Sequence, residues 1–236
     1  MSKILMFANQ KGGVGKSTCS MLVANTLSQA PFNHSVFVVD ADKQRSIAKK
    51  RMTDLQAYDE ASPYQVQQMT IKDFLHQTTG IYKLDKDYDY ILVDVPGKLD
   101  NNLPVDQQEI TKYLQLVDYL FIPFLPGGLQ MDATLDFLKI AIKVRSQRKK
   151  DQRSLNLYGF VNMFEQRTLD DKFLLEELEE LTDMVNLDFL DSKLKRYALY
   201  RNANTLNSFY LENPKGKPEQ NFKAWFDEIY KTMNHE

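Results

Sequence analysis

The chain has 236 residues with a formal net charge of −2, 43% hydrophobic and 26% charged side chains, one cysteine and three histidines. That composition is enough for a sizeable core. It excludes an internal disulfide framework, a uniformly basic nucleic-acid binder and a Cys/His metal site built on several ligands. No run approaches 18 apolar residues, and the apolar Ile4–Ala8 stretch behind Lys3 is too short for a signal peptide. The expected compartment is therefore the cytosol.

Taken in chain order, Ile4 to Ala8 reads as a buried strand ended by glycines, and Ser17 to Gln29 as a helix with Met21, Leu22, Ala24 and Leu27 at helical spacing. Val36–Val39 is a second strand with Asp40 at its end. Strand, loop, helix and strand in succession imply a parallel pair with a right-handed crossover. The pattern continues with a strand at Tyr90–Val93 ending in Asp94, and another at Tyr119–Ile122 closed by Pro123. A helix runs from Met131 to about Arg148, a strand over Leu157–Val161, and an acidic-faced helix over Thr168–Thr182. Tyr58–Thr79 is polar and Gln-rich and reads as loop plus a short helix. A break at Asn213–Pro218 precedes a last helix. No repeat or linker divides the chain. The expectation is one α/β domain over residues 1–236, a mostly parallel twisted sheet with helices on both faces.

The segment Gln10-Lys11-Gly12-Gly13-Val14-Gly15-Lys16-Ser17-Thr18 lies between the first strand and the first helix. Glycines let successive N–H groups converge on one anion, and the helix N-terminus adds partial positive charge. Lys16 would reach the outer phosphates of a nucleotide, the Ser17 hydroxyl would ligate Mg²⁺, and Thr18 could bond an inner phosphate. The general phosphate-loop pattern fails at one position, where Gln10 replaces the first glycine. Three aspartates at strand ends supply the carboxylates that a nucleotide site needs: Asp40, Asp42 and Asp94.

Lys11 to Ser17 match K-G-G-x-G-K-[ST], and on this motif the chain resembles the ParA/MinD family of deviant Walker-type ATPases. The resemblance implies an ATP- and Mg²⁺-binding P-loop fold and a nucleotide-sandwich homodimer. In that dimer Lys11 reaches the partner's phosphates. The family's D-x-D-P-Q-G-[NS] stretch is matched by Asp40, Asp42, Gln44 and Ser46, with Lys43 and Arg45 in place of Pro and Gly. By resemblance Asp40 lies near the Mg²⁺ water shell, Asp42 positions the hydrolytic water, and Asp94 in Asp94-Val95-Pro96-Gly97 holds Mg²⁺ through water. The nucleotide would rest on Gly12, Gly13, Val14, Gly15, Lys16, Ser17 and Thr18, and Asn162 would read the adenine edge. Pro123-Phe124-Leu125-Pro126 resembles P-x-Q-P with Leu125 in place of Gln.

Three basic clusters stand out: Lys49-Lys50-Arg51; Arg145 with Arg148-Lys149-Lys150 and Arg153; and Lys193, Lys195, Arg196 and Arg201. They read either as solvated faces or as a phosphate-backbone patch. Relatives that bind DNA non-specifically do so with basic residues of the C-terminal third. The resemblance therefore points to Lys193, Lys195, Arg196 and Arg201, to nucleoid association and to a ParB-like stimulating protein. With the phosphate loop beginning at residue 10, the N-terminal DNA-binding extension of larger plasmid relatives is not expected. Phe222, Trp225, Phe226, Ile229, Tyr230 and Met233 form one apolar stripe on the last helix. MinD relatives use such a helix on membranes. Here the polar face is mixed in charge, so packing on the domain, and no membrane partner, is expected. The full expectation is a partition or positioning ATPase with slow, partner-stimulated hydrolysis. The alternatives are a MinD-like positioning ATPase, or a regulatory module with negligible turnover because of Lys43 and Arg45.

Overall fold

A computed structural model describes residues 1–76, 80–96, 104–126, 131–148, 153–165, 174–176, 178–179, 182 and 187–234; side chains are described from residue 109 onward in the helix that begins at 104. The strands are β1 (Lys3–Phe7), β2 (Val36–Asp40), β3 (Gln65–Gln68), β4 (Tyr90–Asp94), β5 (Tyr119–Phe124), β6 (Asn156–Phe164), β7 (Asp188–Phe189) and β8 (Leu194–Lys195). The helices are α1 (Lys16–Leu27), α2 (Ser46–Ala57), α3 (Ile71–Phe74), α4 (Ile81–Asp87), α5 (Pro104–Leu114), α6 (Met131–Gln147), α7 (Ala198–Arg201) and α8 (Lys217–Asn234). The strand order is β3-β2-β4-β1-β5-β6-β7, every pairing is parallel, and β8 joins the far end of β6.

Alternation along the central strands splits the core in two. Ile4, Met6, Ile91 and Val93 face one side, where they meet residues of α5 and α6, while Leu5, Phe7, Tyr90 and Leu92 face α1 and α8. Helices thus cover both faces, as the sequence predicts. Because β1 is the middle strand, its carboxyl end opens into the loop before α1, with the ends of β2 and β4 beside it. This is where open α/β sheets bind ligands.

Two departures from the sequence reading have physical causes. The polar stretch 65–68 forms β3, an edge strand paired with β2, and with Val66 its one apolar residue among three glutamines it has no apolar alternation to betray it. β5 runs through Pro123 to Phe124 instead of stopping at Ile122. The side of Pro123 that lacks an N–H faces β1, which has already ended, and its carbonyl there accepts from Asn9 Nδ2 at 2.9 Å. The acidic-faced helix expected at Thr168–Thr182 falls largely outside the described residues. Within it Leu174 and Leu178 are buried and helical.

Three arginines of two of the basic clusters are structural. Arg153 pairs with Asp118 (2.7 Å) and Asp85 (3.1 Å), and Asp118 also accepts from the Ile4 N–H. Arg148 donates to the carbonyls of Leu114 and Val117. These two arginines stitch the amino-terminal edge of the sheet, opposite the phosphate loop, so neither belongs to a solvated face or a DNA patch. Lys149 and Lys150 lie outside the described residues. On α2, Arg51 is buried against Tyr64 and bonds Thr205 through Nε and Nη2, both at 2.9 Å, while Asp54 accepts from the Thr205 N–H and hydroxyl. This pair latches α2 to the segment after α7.

The α8 stripe is packed on the domain: Phe222, Trp225, Phe226, Ile229 and Met233 are buried, and Trp225 lies 5.5 Å from Phe160 and 6.1 Å from Phe7 between ring centroids. Lys3 Nζ and the Tyr119 hydroxyl donate to the Met233 carbonyl near the helix end. Among the described residues no helix is long and apolar enough to cross a membrane. Removing the Trp225 ring leaves a cavity against Phe7, directly beneath the strand that leads into the phosphate loop. Trp225→Ala should therefore cost about 3–5 kcal/mol of unfolding free energy, measured by urea titration.

Candidate nucleotide-binding site

The loop between β1 and α1 is curled by two left-handed glycines, Gly13 (φ 77°) and Gly15 (φ 87°). A Cβ placed on Gly13 would meet nothing within 4 Å, so the mouth of the loop is open space. Gly15 is the N-cap of α1; no side chain caps the helix and its first turn holds no acid, so its free N–H groups and dipole are left for an external anion. Asn9, which the sequence reading passed over, fixes the loop entrance. It is buried at the end of β1, bonds Pro123 O and Thr134 Oγ1 (both 2.9 Å), and accepts from the Lys11 N–H at 3.0 Å. A polar residue between an apolar strand and a glycine loop was the available signal.

Lys16 is 4% exposed and donates from Nζ to the Lys11 carbonyl at 2.8 Å, folding across the loop. Burial pushes its ammonium down to about 8, against the opposing pull of Asp94 and Asp42. The Lys11 side chain is half-buried at the loop's edge.

Register brings the carboxylates together. Asp40 and Asp94 are direct neighbours at the ends of β2 and β4, Phe7 of β1 is the next residue across, and both aspartates are 0% exposed. Asp40 is partly spent on the backbone: Oδ2 accepts from Ala48 N (2.9 Å) and Oδ1 from Asp42 N (3.3 Å), so it holds the first turn of α2. Burial raises its pKa and those bonds pull it back. Asp94 is different. Burial pushes it up to about 7, Asp40 and Asp42 add to the rise, and Ser17 and Lys16 oppose it. Ser17 is close enough to favour the charged form, yet among the described residues neither Asp94 oxygen has a hydrogen-bond partner of normal geometry. A buried carboxylate with both oxygens unspent, beside a serine and a lysine, suits the water shell of a divalent cation. The set of Ser17, Asp40 and Asp94 therefore fits Mg²⁺.

Asp42 stands one turn further out, half-buried, with Oδ1 accepting from Gln44 N at 2.8 Å. Arg45, where the resembled pattern has glycine, is left-handed (φ 56°) and exposed at the N-cap of α2. The Cβ there costs on the order of 1 kcal/mol relative to an unstrained turn. Gly97 lies outside the described residues.

Beyond Gly15 and Thr18 a cleft of about 760 Å³ opens, walled by Asn162, Met163 and Phe164 from β6 and by residues from β8 to α7. Asn162 bonds the loop itself, donating from Nδ2 to Val14 O at 2.8 Å. Lys195, Arg196 and Arg201 line this same cleft, so three of the four basic residues singled out by sequence sit beside the phosphate loop and not on a remote face. Arg196 pairs with Glu165 at 2.9 Å, and Lys193 lies over the Phe164 ring at 4.8 Å. Cys19, also on the cleft wall, is buried, and burial raises its thiol far above the usual range, so it is inert.

Comparisons with known proteins agree with this fold. A plasmid partition protein of Borrelia burgdorferi B31, solved bound to AMPPNP, superposes with TM-score 0.68 at 20% identity, covering 98% of this chain and 100% of that one. Cobyrinic acid a,c-diamide synthase of Mycobacterium smegmatis, with a bound ATP analogue and magnesium, gives 0.67 at 17% identity over 99% and 96%. The MinD cell division protein of Aquifex aeolicus gives 0.64 at 16% identity over 100% and 98%. At these identities the likeness shows the fold. A search of the curated proteins returned no match. The profile of the CobQ/CobB/MinD/ParA nucleotide-binding domain matches residues 5–205, from β1 through the cleft wall to the α2 latch, and the chain belongs to that family.

Proposed function

We propose that the protein is a ParA-like, Mg²⁺-dependent ATPase that pairs around two nucleotides, binds DNA non-specifically in that state, and serves partition or positioning of a plasmid, chromosome or mobile element. The observation that carries this reading is the unspent, buried Asp94 carboxylate in register with Asp40, next to Lys16 and an open glycine cradle. Bound ligands in two neighbours support it: AMPPNP in the partition protein, an ATP analogue with magnesium in the synthase.

In this reading Gly12, Gly13, Val14, Gly15 and Thr18 supply backbone and hydroxyl donors to the phosphates, and Lys16 leaves the Lys11 carbonyl to bind the outer ones. Ser17, Asp40 and Asp94 would hold Mg²⁺, which supplies charge neutralisation on those phosphates. Lys11 donates to the partner's outer phosphate and stabilises charge on the transferring group. Asp42 orients the attacking water. A ParB-like protein is the expected stimulator, and Lys193, Lys195, Arg196 and Arg201 are the DNA contacts. Burial of the α8 stripe favours DNA over a membrane surface. One observation favours a second reading, a nucleotide-switched module with negligible turnover. Asp42 is tied to Gln44 N in a turn that contains Lys43 and the left-handed Arg45.

Sizing by light scattering should give a monomer without nucleotide or with ADP and a dimer with ATP, and Lys11→Ala should stay monomeric with ATP while still binding it. Phosphate release separates the two readings. In the ATPase, Asp42→Ala keeps ATP binding and loses turnover by about 10²-fold, as expected for a water-positioning group; equal, near-zero rates in wild type and variant would favour the switch. DNA retention with ATP should fall steeply between 50 and 200 mM salt. Charge reversal at Lys195 and Arg201 should flatten that slope by about one for each phosphate that is no longer neutralised.

A further inference from the structure

We propose that Asn9 is a positioning residue for Lys11: it holds the backbone from which the Lys11 side chain reaches toward the nucleotide of a second copy. Both hydrogens of the Asn9 amide are used. Nδ2 donates to Pro123 O and to Thr134 Oγ1, each at 2.9 Å, and Oδ1 accepts from the Lys11 N–H at 3.0 Å. Asn9 is 1% exposed and Thr134 is 2% exposed.

The contact grows out of the sheet. Just past the end of β1, the Ala8 N–H donates to Phe121 O of β5 at 3.2 Å. In a parallel ladder the next donor on this edge would be the Gln10 N–H, with Pro123 O as its acceptor. The Asn9 side chain takes that acceptor instead, so the backbone leaves the sheet at Gln10 while it stays tied to β5. Thr134, near the start of α6, takes the second hydrogen and sets the amide plane.

The consequence falls on Lys11. Its N–H belongs to the peptide before its Cα, and its carbonyl to the peptide after. Asn9 Oδ1 holds the first, and Lys16 Nζ holds the second at 2.8 Å. Two planar peptides fixed on either side of one Cα fix φ and ψ there, and with them the direction of the Cα–Cβ bond. When Lys16 turns to the phosphates, the carbonyl bond is given up and the bond to Asn9 remains. Asn9 therefore sets the departure angle of Lys11 in the state where the second copy needs it.

This inference rests on the reading of Lys11 given above, and the experiment separates the two. Pairing with Mg-ATP is measured by sedimentation for wild type, Asn9→Ala and Thr134→Val. The valine keeps the shape of Thr134, removes one acceptor of Asn9, and carries the test if Asn9→Ala does not fold. ATP affinity of the unpaired chain is measured by calorimetry with each change placed in the Lys11→Ala background. Positioning of Lys11 predicts pairing about tenfold weaker in Asn9→Ala, the scale of one buried hydrogen bond, and a smaller loss in Thr134→Val; affinity stays within about twofold of Lys11→Ala alone. Affinity that falls in step with pairing would show that Asn9 shapes the phosphate cradle itself and overturn the proposal. A lowered melting temperature with pairing and affinity both intact would show a merely structural role and overturn it equally. In wild type the Lys11 N–H should exchange slowly with solvent both without nucleotide and with ATP; exchange at the rate of an open loop in the ATP state refutes the assignment. Wild type that stays monomeric with ATP, or Lys11→Ala that pairs as wild type does, would instead remove the reading of Lys11 itself.

Discussion

The geometry of the site depends on the register between β1, β4 and β2, which sets Phe7, Asp94 and Asp40 in a row across the carboxyl edge of the sheet. Burial raises the cost of charging both aspartates at these adjacent strand ends, and the charge of Asp40 adds to it for Asp94. The fold offsets this unevenly. Asp40 is compensated by two backbone N–H groups at the start of α2, whereas Asp94 is left with its oxygens unspent and only Ser17 and Lys16 nearby. A slip of one residue in either strand would turn these side chains to the opposite face and separate them from Lys16. The long parallel core, with the α8 aromatic stripe beneath Phe7, is what prevents that slip.

Much of this was legible in the sequence because the signals were local. Apolar runs ended by Asp40 and Asp94 read as buried parallel strands, and the glycines before Lys16 read as an anion loop without knowledge of the fold. The stripe from Phe222 to Met233 was legible for the same reason, since helical periodicity and a mixed-charge outer face decide its burial. What could not be read was set by tertiary partners. β3 carries a single apolar residue, Val66, among three glutamines, so residues 65–68 looked like loop. Arg148, Arg153 and Arg51 resembled solvated charge, and nothing in their neighbours along the chain announces Asp118, Asp85 or Thr205 as distant partners. Asn162 was legible as a site residue, but its bond to Val14 spans 148 positions and has no local trace.

The fate of the basic residues follows the two ends of the sheet. At the amino edge Arg148 is consumed by the Leu114 and Val117 carbonyls and Arg153 by Asp118 and Asp85. Those from the end of β8 onward stand around the cleft, where Lys195, Arg196 and Arg201 share walls with Gly15 and Thr18. The α2 latch joins these regions: Asp40 grips the first turn of α2, and Arg51 and Asp54 of the same helix grip Thr205, four residues past Arg201. The Asp40 carboxylate and the cationic cleft wall are therefore connected through one short helix.

Arg45 marks how that helix begins. A glycine at this point could swing through the mirror-image half of backbone space, whereas a residue with a Cβ holds a narrow left-handed basin and finds the surrounding routes closed. Any rearrangement of the 40–46 turn must then follow the few paths that a branched backbone carbon can travel, which makes the turn behave more as a detent than as a hinge.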